Sequence, residues 1–210
     1  VDYDKYYLYS LITHSTAIEG STLTELDTQL LFDEGVTAKG KPLVYHLMNG
    51  DLKQAYELAK AESDRLVPIT PAFLKTLNAT LMRTTGSVHS VMGGSFDSSK
   101  GEFRLCGVTA GVGGHSYMNY LNLVTIHPWV DGNGRTARLL MNYIQFLYNL
   151  FPTKIFKEDR DGYILALRQS QEEDNNLPFL AFMAEQLKKS LSLEIERFDS
   201  SQKRGFNFLF

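Results

Sequence analysis

His127-Pro128-Trp129-Val130-Asp131-Gly132-Asn133-Gly134-Arg135-Thr136-Ala137-Arg138 gathers a histidine, an aspartate, two glycines and two arginines in twelve consecutive residues. Two glycines flank an asparagine just ahead of a long apolar segment with helical spacing. Gly and Asn tolerate positive φ, so Gly132, Asn133 and Gly134 can curl their backbone N–H groups inward as an anion-binding nest. The helix expected from about Thr136 to Tyr148 adds its own free N–H groups and the positive end of its dipole. Arg135 and Arg138 are three apart, on neighbouring parts of one helix face, and repel each other unless an anion lies between them. These features together suit a di- or triphosphate. Asp131 opens the loop, and a carboxylate beside bound phosphates is the usual way to hold Mg²⁺. His127 lies at the preceding helix end, where an imidazole can accept a proton at neutral pH. A base, a metal carboxylate and a phosphate nest in one short segment describe nucleotidyl or phosphoryl transfer to a hydroxyl.

Each feature alone has a plainer explanation. A histidine beside an apolar run is most often structural, Asp-Gly-Asn-Gly is usually a turn, and an Arg pair on a helix is usually a solvated face. Their coincidence in a fixed order favours a site. A Walker loop is excluded, because no Gly-Lys-Ser/Thr is present.

Around this segment the pattern is helical almost throughout. Tyr6, Tyr7, Leu11 and Ile18 form a rough stripe that Gly20 closes. Thr22 with Glu25 has capping-box spacing for a short helix through Phe32, stopped near Gly35. Pro42 suits the first turn of a helix carrying Val44, Leu47, Met48, Leu52, Ala55, Leu58 and Ala59. Thr70-Pro71 opens another, with Phe73, Leu74, Leu77 and Leu81. Residues 86–114 are glycine-rich with little helical period, and Phe96 to Phe103 reads as two short strands joined by a turn. An apolar run from Leu121 to Ile126 precedes the loop. Asp161-Gly162 precedes a further helix. Asn176 with Pro178 opens the last one, whose buried face holds Phe179, Phe182, Met183, Leu187, Leu191 and Ile195, before Gln202 to Gly205 break it. The expected fold is mainly α: a helical bundle with one small β-hairpin, divided into an N-terminal segment (1–35), a main domain (36–200) and a tail (201–210).

Composition narrows the partners. Of the 210 residues 43% are hydrophobic and 21% charged, so disorder is excluded as the main description. Lys and Arg number 21 against 24 Asp and Glu, a net charge of −3 that gives no footprint for nucleic acid or an anionic membrane. The longest uncharged apolar stretch, Leu139 to Thr153, is too short to span a bilayer and contains Asn142, Gln145 and Asn149. Val1 to Asp4 lacks the basic start and apolar core of a signal peptide. The single cysteine, Cys106, cannot form an intrachain disulfide and points to a reducing, cytoplasmic setting.

The 127–138 segment resembles the signature of the Fic family, HxFx(D/E)GNGRxxR, with Trp129 in place of the usual Phe. Gly101-Glu102-Phe103-Arg104 is similar to the second strand of that family's flap hairpin, and Arg138 to about Leu193 resembles its C-terminal helices. The resemblance implies a Fic-type helical bundle that transfers AMP from ATP to Ser, Thr or Tyr hydroxyls of a protein and releases pyrophosphate. It implies His127 as the general base and Asp131 as the Mg²⁺ ligand. Gly132, Asn133 and Gly134 would cradle the α- and β-phosphates, with Arg135 and Arg138 on the polyphosphate. Family members that transfer phosphate carry Lys where this chain has Gly134, which favours AMP. The purine would lie near the helix after Asp161, with Tyr163 stacking on it and Gln171 hydrogen-bonding it. A protein target would pair with the flap near residues 98–112, and self-modification is implied too.

Ser15-Thr16-Ala17-Ile18-Glu19-Gly20 is similar to the family's inhibitory helix motif, (S/T)xxxE(G/N). Glu19 can pair bidentately with a guanidinium. If that partner is Arg138, the carboxylate takes the γ-phosphate position, with Ser15 one turn earlier on the same helix. One departure stands out: only 18 residues separate Val108 from His127, fewer than the family normally places between flap and base. Two other functions compete with AMP transfer. Glu19 could orient a water that removes AMP from a modified protein, or the chain could be a non-catalytic nucleotide-binding interaction module.

Overall fold

A computed structural model describes residues 2–105 and 119–205 of the chain. Helices α1 (Tyr3–Ile18), α2 (Glu25–Glu34), α3 (Leu43–Asp64) and α4 (Pro71–Leu81) lead into a hairpin of β1 (Val88–Val91) and β2 (Gly94–Asp97). Then follow α5 (Asn119–Ile126), α6 (Asn133–Leu147), α7 (Arg160–Glu172) and α8 (Leu177–Gly205). The mainly α bundle with one small hairpin is as the sequence predicts.

α6 is the central element. Ala137, Leu140 and Tyr143 on it are almost wholly buried, and it packs along α3 and against α4 and α5. α3 meets it with Leu52, Ala55, Tyr56 and Ala59, spaced at helical period. Ala55 and Ala59 carry only a methyl each, so the two backbones can approach closely. The Phe73 and Tyr143 rings meet at 4.7 Å and tie α4 to the same seam. Truncating any of the buried leucines here to Ala should cost about 2–5 kcal/mol.

α1 packs into this core. Tyr7, Leu11, Ile12 and Ile18 belong to the same hydrophobic cluster as α3 and α6. A buried polar chain fixes its rotation: Thr16 Oγ1 lies 2.7 Å from Asn49 Oδ1, and Asn49 Nδ2 donates to Thr28 Oγ1 at 2.8 Å. Thr16, Asn49 and Thr28 are each fully buried. Rotating α1 would orphan these groups at about 1–3 kcal/mol apiece, so the face carrying Ser15 and Glu19 is fixed toward α6.

Several sequence expectations are corrected. The capping box that starts α2 uses Thr24 and Asp27, not Thr22 and Glu25: each side chain takes the other's backbone N–H. Glu25 is instead drawn to Ser10 and His14 of α1. The hairpin lies earlier than predicted, with Val88 opposite Asp97 and Val91 opposite Gly94. Met92 and Gly93 make the turn, and Gly94, at φ +126°, opens β2. Ser98–Lys100, read as the turn, is a 3₁₀ turn whose Ser99 N–H bonds Asp97 Oδ1; such local side-chain bonding competes with strand pairing. Gly101 to Arg104, read as a strand, is irregular. The supposed flap near 98–112 therefore begins without a strand, and its residues 106–112 lie outside the described ones, as do Val108 and most of the short link to His127.

α6 begins at Asn133, three residues before the expected start, and α7 at Arg160, so Asp161 and Gly162 are inside it. α8 continues through Gly205 rather than breaking at Gln202. Its predicted buried face ends early, because Leu191 and Ile195 are exposed. Among the described residues no helix is long and apolar enough to cross a membrane.

Candidate active site

The loop from His127 to Gly132 is braced from beneath. Trp129 is fully buried, and its Nε1 donates to the Gly101 carbonyl at 3.0 Å. Asn133 latches the loop across itself: Oδ1 accepts Trp129 N–H at 3.0 Å and Nδ2 donates to Trp129 O at 2.9 Å. The Asn133 side chain is therefore a brace, and only its backbone N–H is left for a ligand. Arg104, which the sequence reading gave no role beyond the flap strand, grips the base from the other side. Its N–H donates to Pro128 O at 3.0 Å and its Nε to His127 O at 2.7 Å. Gly101 must be glycine, since at φ +66° a Cβ would stand 2.1 Å from the Lys75 carbonyl.

His127 is held at φ +51°, an uncommon conformation for a non-glycine residue. Its N–H closes the end of α5 on Leu123 O at 3.0 Å. Nδ1 lies 3.4 Å from Val124 O. Donation from Nδ1 to that carbonyl leaves Nε2 as the basic nitrogen.

Gly132 caps α6 at φ +78°, so Asn133, Gly134 and Arg135 form the first turn. Their N–H groups have no intrahelical acceptors and sit at the positive end of the dipole. Nest and helix N-terminus are thus one feature rather than two in succession. Asp131, 65% exposed, accepts the Gly132 N–H on Oδ1 and lies 3.4 Å from Arg135 Nη2 through Oδ2. It fits a Mg²⁺ ion that takes one protein carboxylate and fills its remaining positions with phosphate oxygens and water. Among the described residues no cluster of three or more His, Cys, Asp or Glu could hold a metal by itself.

Arg135 is 2% exposed, and its Nε and Nη1 are buried without a partner among the described residues. Unsatisfied buried guanidinium donors are costly, and an anion would relieve the cost. Arg138 is almost as deeply buried, but it is engaged by α1. Nε donates to Ser15 Oγ at 2.9 Å; Nη2 donates to Ser15 O at 2.9 Å and to Glu19 Oε1 at 2.8 Å. The same Glu19 oxygen stands over the nest: a Cβ on Gly134 would come within 2.6 Å of it. Burial alone would raise the pKa of Glu19, but the Arg138 guanidinium, helped by Arg135 and Arg160, outweighs that and holds it below the usual carboxylate value. Glu19 therefore stands over Gly134 as a carboxylate anion.

The two residues offered to the purine are otherwise engaged. Tyr163 is 2% exposed within the hydrophobic core, its ring 6.1 Å from Phe182. Gln171 is buried, with Nε2 donating to Thr125 Oγ1 at 2.8 Å. An aromatic at helical spacing serves the core here, as such residues commonly do.

Residues 68–145 match the Fic/DOC family. The protein named protein adenylyltransferase Fic of Drosophila virilis is 30% identical over 87% of this chain and 41% of its own length; that of Drosophila grimshawi is 31% identical over 87% and 42%. The chain thus spans about two-fifths of the length of these curated relatives. Among solved structures, a Fic domain containing signaling protein from Bacteroides thetaiotaomicron superposes with a TM-score of 0.74 at 23% identity, over 92% of this chain and 88% of its own. Fic-1 of C. elegans gives 0.75 at 20% identity, over 93% and 64%. The chain thus carries a Fic/DOC family domain, matched over residues 68–145.

Proposed function

We propose that the chain is an adenylyltransferase domain, moving AMP from ATP to a Ser, Thr or Tyr hydroxyl of a protein, and that Glu19 holds it in check. Adenylyltransferase is the activity in the names of its curated relatives. The observation that carries the inhibitory part is the position of the Glu19 carboxylate, bonded to Arg138 and seated against Gly134.

His127 Nε2 takes the proton of the target hydroxyl as its oxygen attacks the α-phosphorus. The bond from that phosphorus to the bridging oxygen breaks, and pyrophosphate leaves. The N–H groups of α6's first turn hold the phosphate oxygens in place, and the orphaned donors of Arg135 find acceptors there. Asp131 would hold a Mg²⁺ ion, which would supply neutralising charge beside the phosphates. Arg104 keeps the His127 carbonyl, and with it the imidazole, fixed against the loop. Substrate positioning of this kind, together with a general base, accounts for most of what such a site can contribute.

A triphosphate's terminal group and the Glu19 carboxylate compete for Arg138. Both are anions that a guanidinium binds through paired N–H donors. While Glu19 is in place, ATP is excluded or its α-phosphorus is turned away from in-line attack. The side chain of Glu19 is 34% exposed, so it can also meet solvent. That favours a second reading, in which Glu19 orients a water that removes AMP from a modified protein. Label transfer from α-phosphate-labelled ATP, compared between wild type and Glu19→Gly, tests the first. Release of AMP from a modified protein by the same pair tests the second. The protein target and its seat along residues 98–112 remain part of this proposal, as does self-modification.

A further inference from the structure

Arg160 is the first residue of α7. A cation there faces the positive end of its own helix dipole, which is locally unfavourable. The side chain reaches across to α1 instead, where Nε donates to the Ile18 carbonyl at 3.0 Å. That is the C-terminal end of α1, where carbonyls lack intrahelical donors and a cation is favoured. α1 has no basic residue of its own in its last turn, so the cation comes from α7. About one turn earlier, the same corner makes a second contact: the Lys157 N–H donates to His14 Nδ1 at 3.1 Å. These two contacts bracket Ser15, which holds Arg138 through its hydroxyl and its carbonyl. Ile18, the anchored residue, immediately precedes Glu19.

We propose that Arg160 is a positioning residue for the Glu19 lock: by tying the Ile18 carbonyl to α7, it keeps the end of α1 where Glu19 reaches Arg138. The proposal rests on the reading of Glu19 as the inhibitor. Without the tie, the chain beyond the Ser15–Arg138 bonds keeps the local N–H bonds of Glu19 and Ser21 to Thr16 O, each at 3.1 Å, and of Gly20 to Ala17 O at 3.0 Å, and it turns away at Gly20, φ +100°. The carboxylate would then leave Arg138 part of the time and open the nest to phosphate. Among the described residues the guanidiniums of Arg138 and Arg135 from α6 and of Arg160 from α7 lower the Glu19 pKa. Of these, Arg160 alone lies outside the 127–138 segment. It is 52% exposed, and its Nη1 is 3.7 Å from the fully exposed Asp161.

The test uses the full chain as wild type, Arg160→Met, Arg160→Lys, Glu19→Gly and the Arg160→Met/Glu19→Gly pair. Labelling from α-phosphate-labelled ATP should rise about tenfold in Arg160→Met, the equilibrium weight of one hydrogen bond from a charged donor. Arg160→Lys should fall back toward wild type. In the Glu19→Gly background the Arg160 change should add nothing. By isotope-edited NMR, the Arg138 guanidinium N–H resonances of Arg160→Met should move away from wild type, reporting loss of the Glu19 contact. Wild-type labelling with unmoved Arg138 resonances overturns the proposal. An Arg160→Met effect that persists undiminished without Glu19 overturns it too. If Glu19→Gly itself fails to raise labelling, the inhibitory reading falls; the Arg138 resonances then decide the positioning role, moved ones supporting it and unmoved ones refuting it.

Discussion

Glu19 Oε1 lies 2.8 Å from Arg138 Nη2 although the two residues are 119 positions apart in the chain. Ser15 holds the same guanidinium through two further bonds, so the N-terminal helix supplies three acceptors to one arginine of the phosphate motif. Glu19→Gly removes one acceptor and empties the space above Gly134. Label transfer and ATP affinity should both rise. Arg138→Ala should not copy this, because it deletes a phosphate ligand along with the lock. Calorimetry of ATP binding on both variants checks the pair; equal affinity of Glu19→Gly and wild type would remove Glu19 from the inhibitory role.

His127→Ala should lose transfer while keeping ATP affinity close to wild type. The imidazole is not part of the nest, and its loss should cost about 10²–10⁴-fold in rate. Single-turnover labelling beside a binding isotherm separates the two effects. Wild-type labelling would revive the reading of a binding module without chemistry.

Asp131→Ala should lose the enhancement of ATP binding by Mg²⁺. The fold should be little affected, since the side chain is 65% exposed and its firm bond is to the adjacent Gly132 N–H. Thermal melting, together with ATP titrations in Mg²⁺ and in chelator, measures both. A metal enhancement equal to wild type would make Asp131 a turn residue only.

Trp129→Phe restores the residue usual in the family signature but should destabilise this chain. The indole fills a fully buried site and satisfies the Gly101 carbonyl, which phenylalanine cannot do. A loss of about 2 kcal/mol is expected from the unpaired carbonyl and the void together. Denaturant midpoints at constant slope give the value.

Acid should weaken the anchoring of α1 to α2 through Glu25. Its hydrogen bond with buried His14, aided by Ser10, lowers its pKa from 4.5 to about 2. A group whose folded value is depressed contributes stability above its unfolded value and loses it as pH falls through the folded one. That contribution is therefore complete above about pH 4.5 and disappears toward pH 2. Glu25→Gln should flatten this part of the acid-unfolding profile; an unchanged slope would mean that the bond to His14 carries no net stability.

The 127–138 segment was legible because its chemistry is local. Gly, Asn and Arg at fixed spacing before a helix define an anion nest through short-range backbone geometry, and the helical period of α1, α3, α4 and α6 is read from neighbours three and four residues apart. The pairing of Glu19 with Arg138 could be put forward from resemblance, but its distance and its seat over Gly134 depend on how α1 packs. The Thr16–Asn49–Thr28 chain sets that packing, and these polar residues look like surface positions until three helices bury them together. Arg104 and Arg160 were beyond the reach of periodicity for the same reason. Arg104 sits in a glycine-rich stretch with no clear period, and its acceptors lie more than twenty residues away. Arg160 looks misplaced at a helix N-terminus until the end of α1 is brought beside it. Tyr163 shows the opposite limit: its helical spacing suits a purine contact or a core position equally, and only the packing against Phe182 chose the core. Local backbone preference and residue spacing act over a few residues and are written in the sequence. Which distant side chains share a buried charge depends on the cooperative packing of the whole bundle, and only the folded chain decides it.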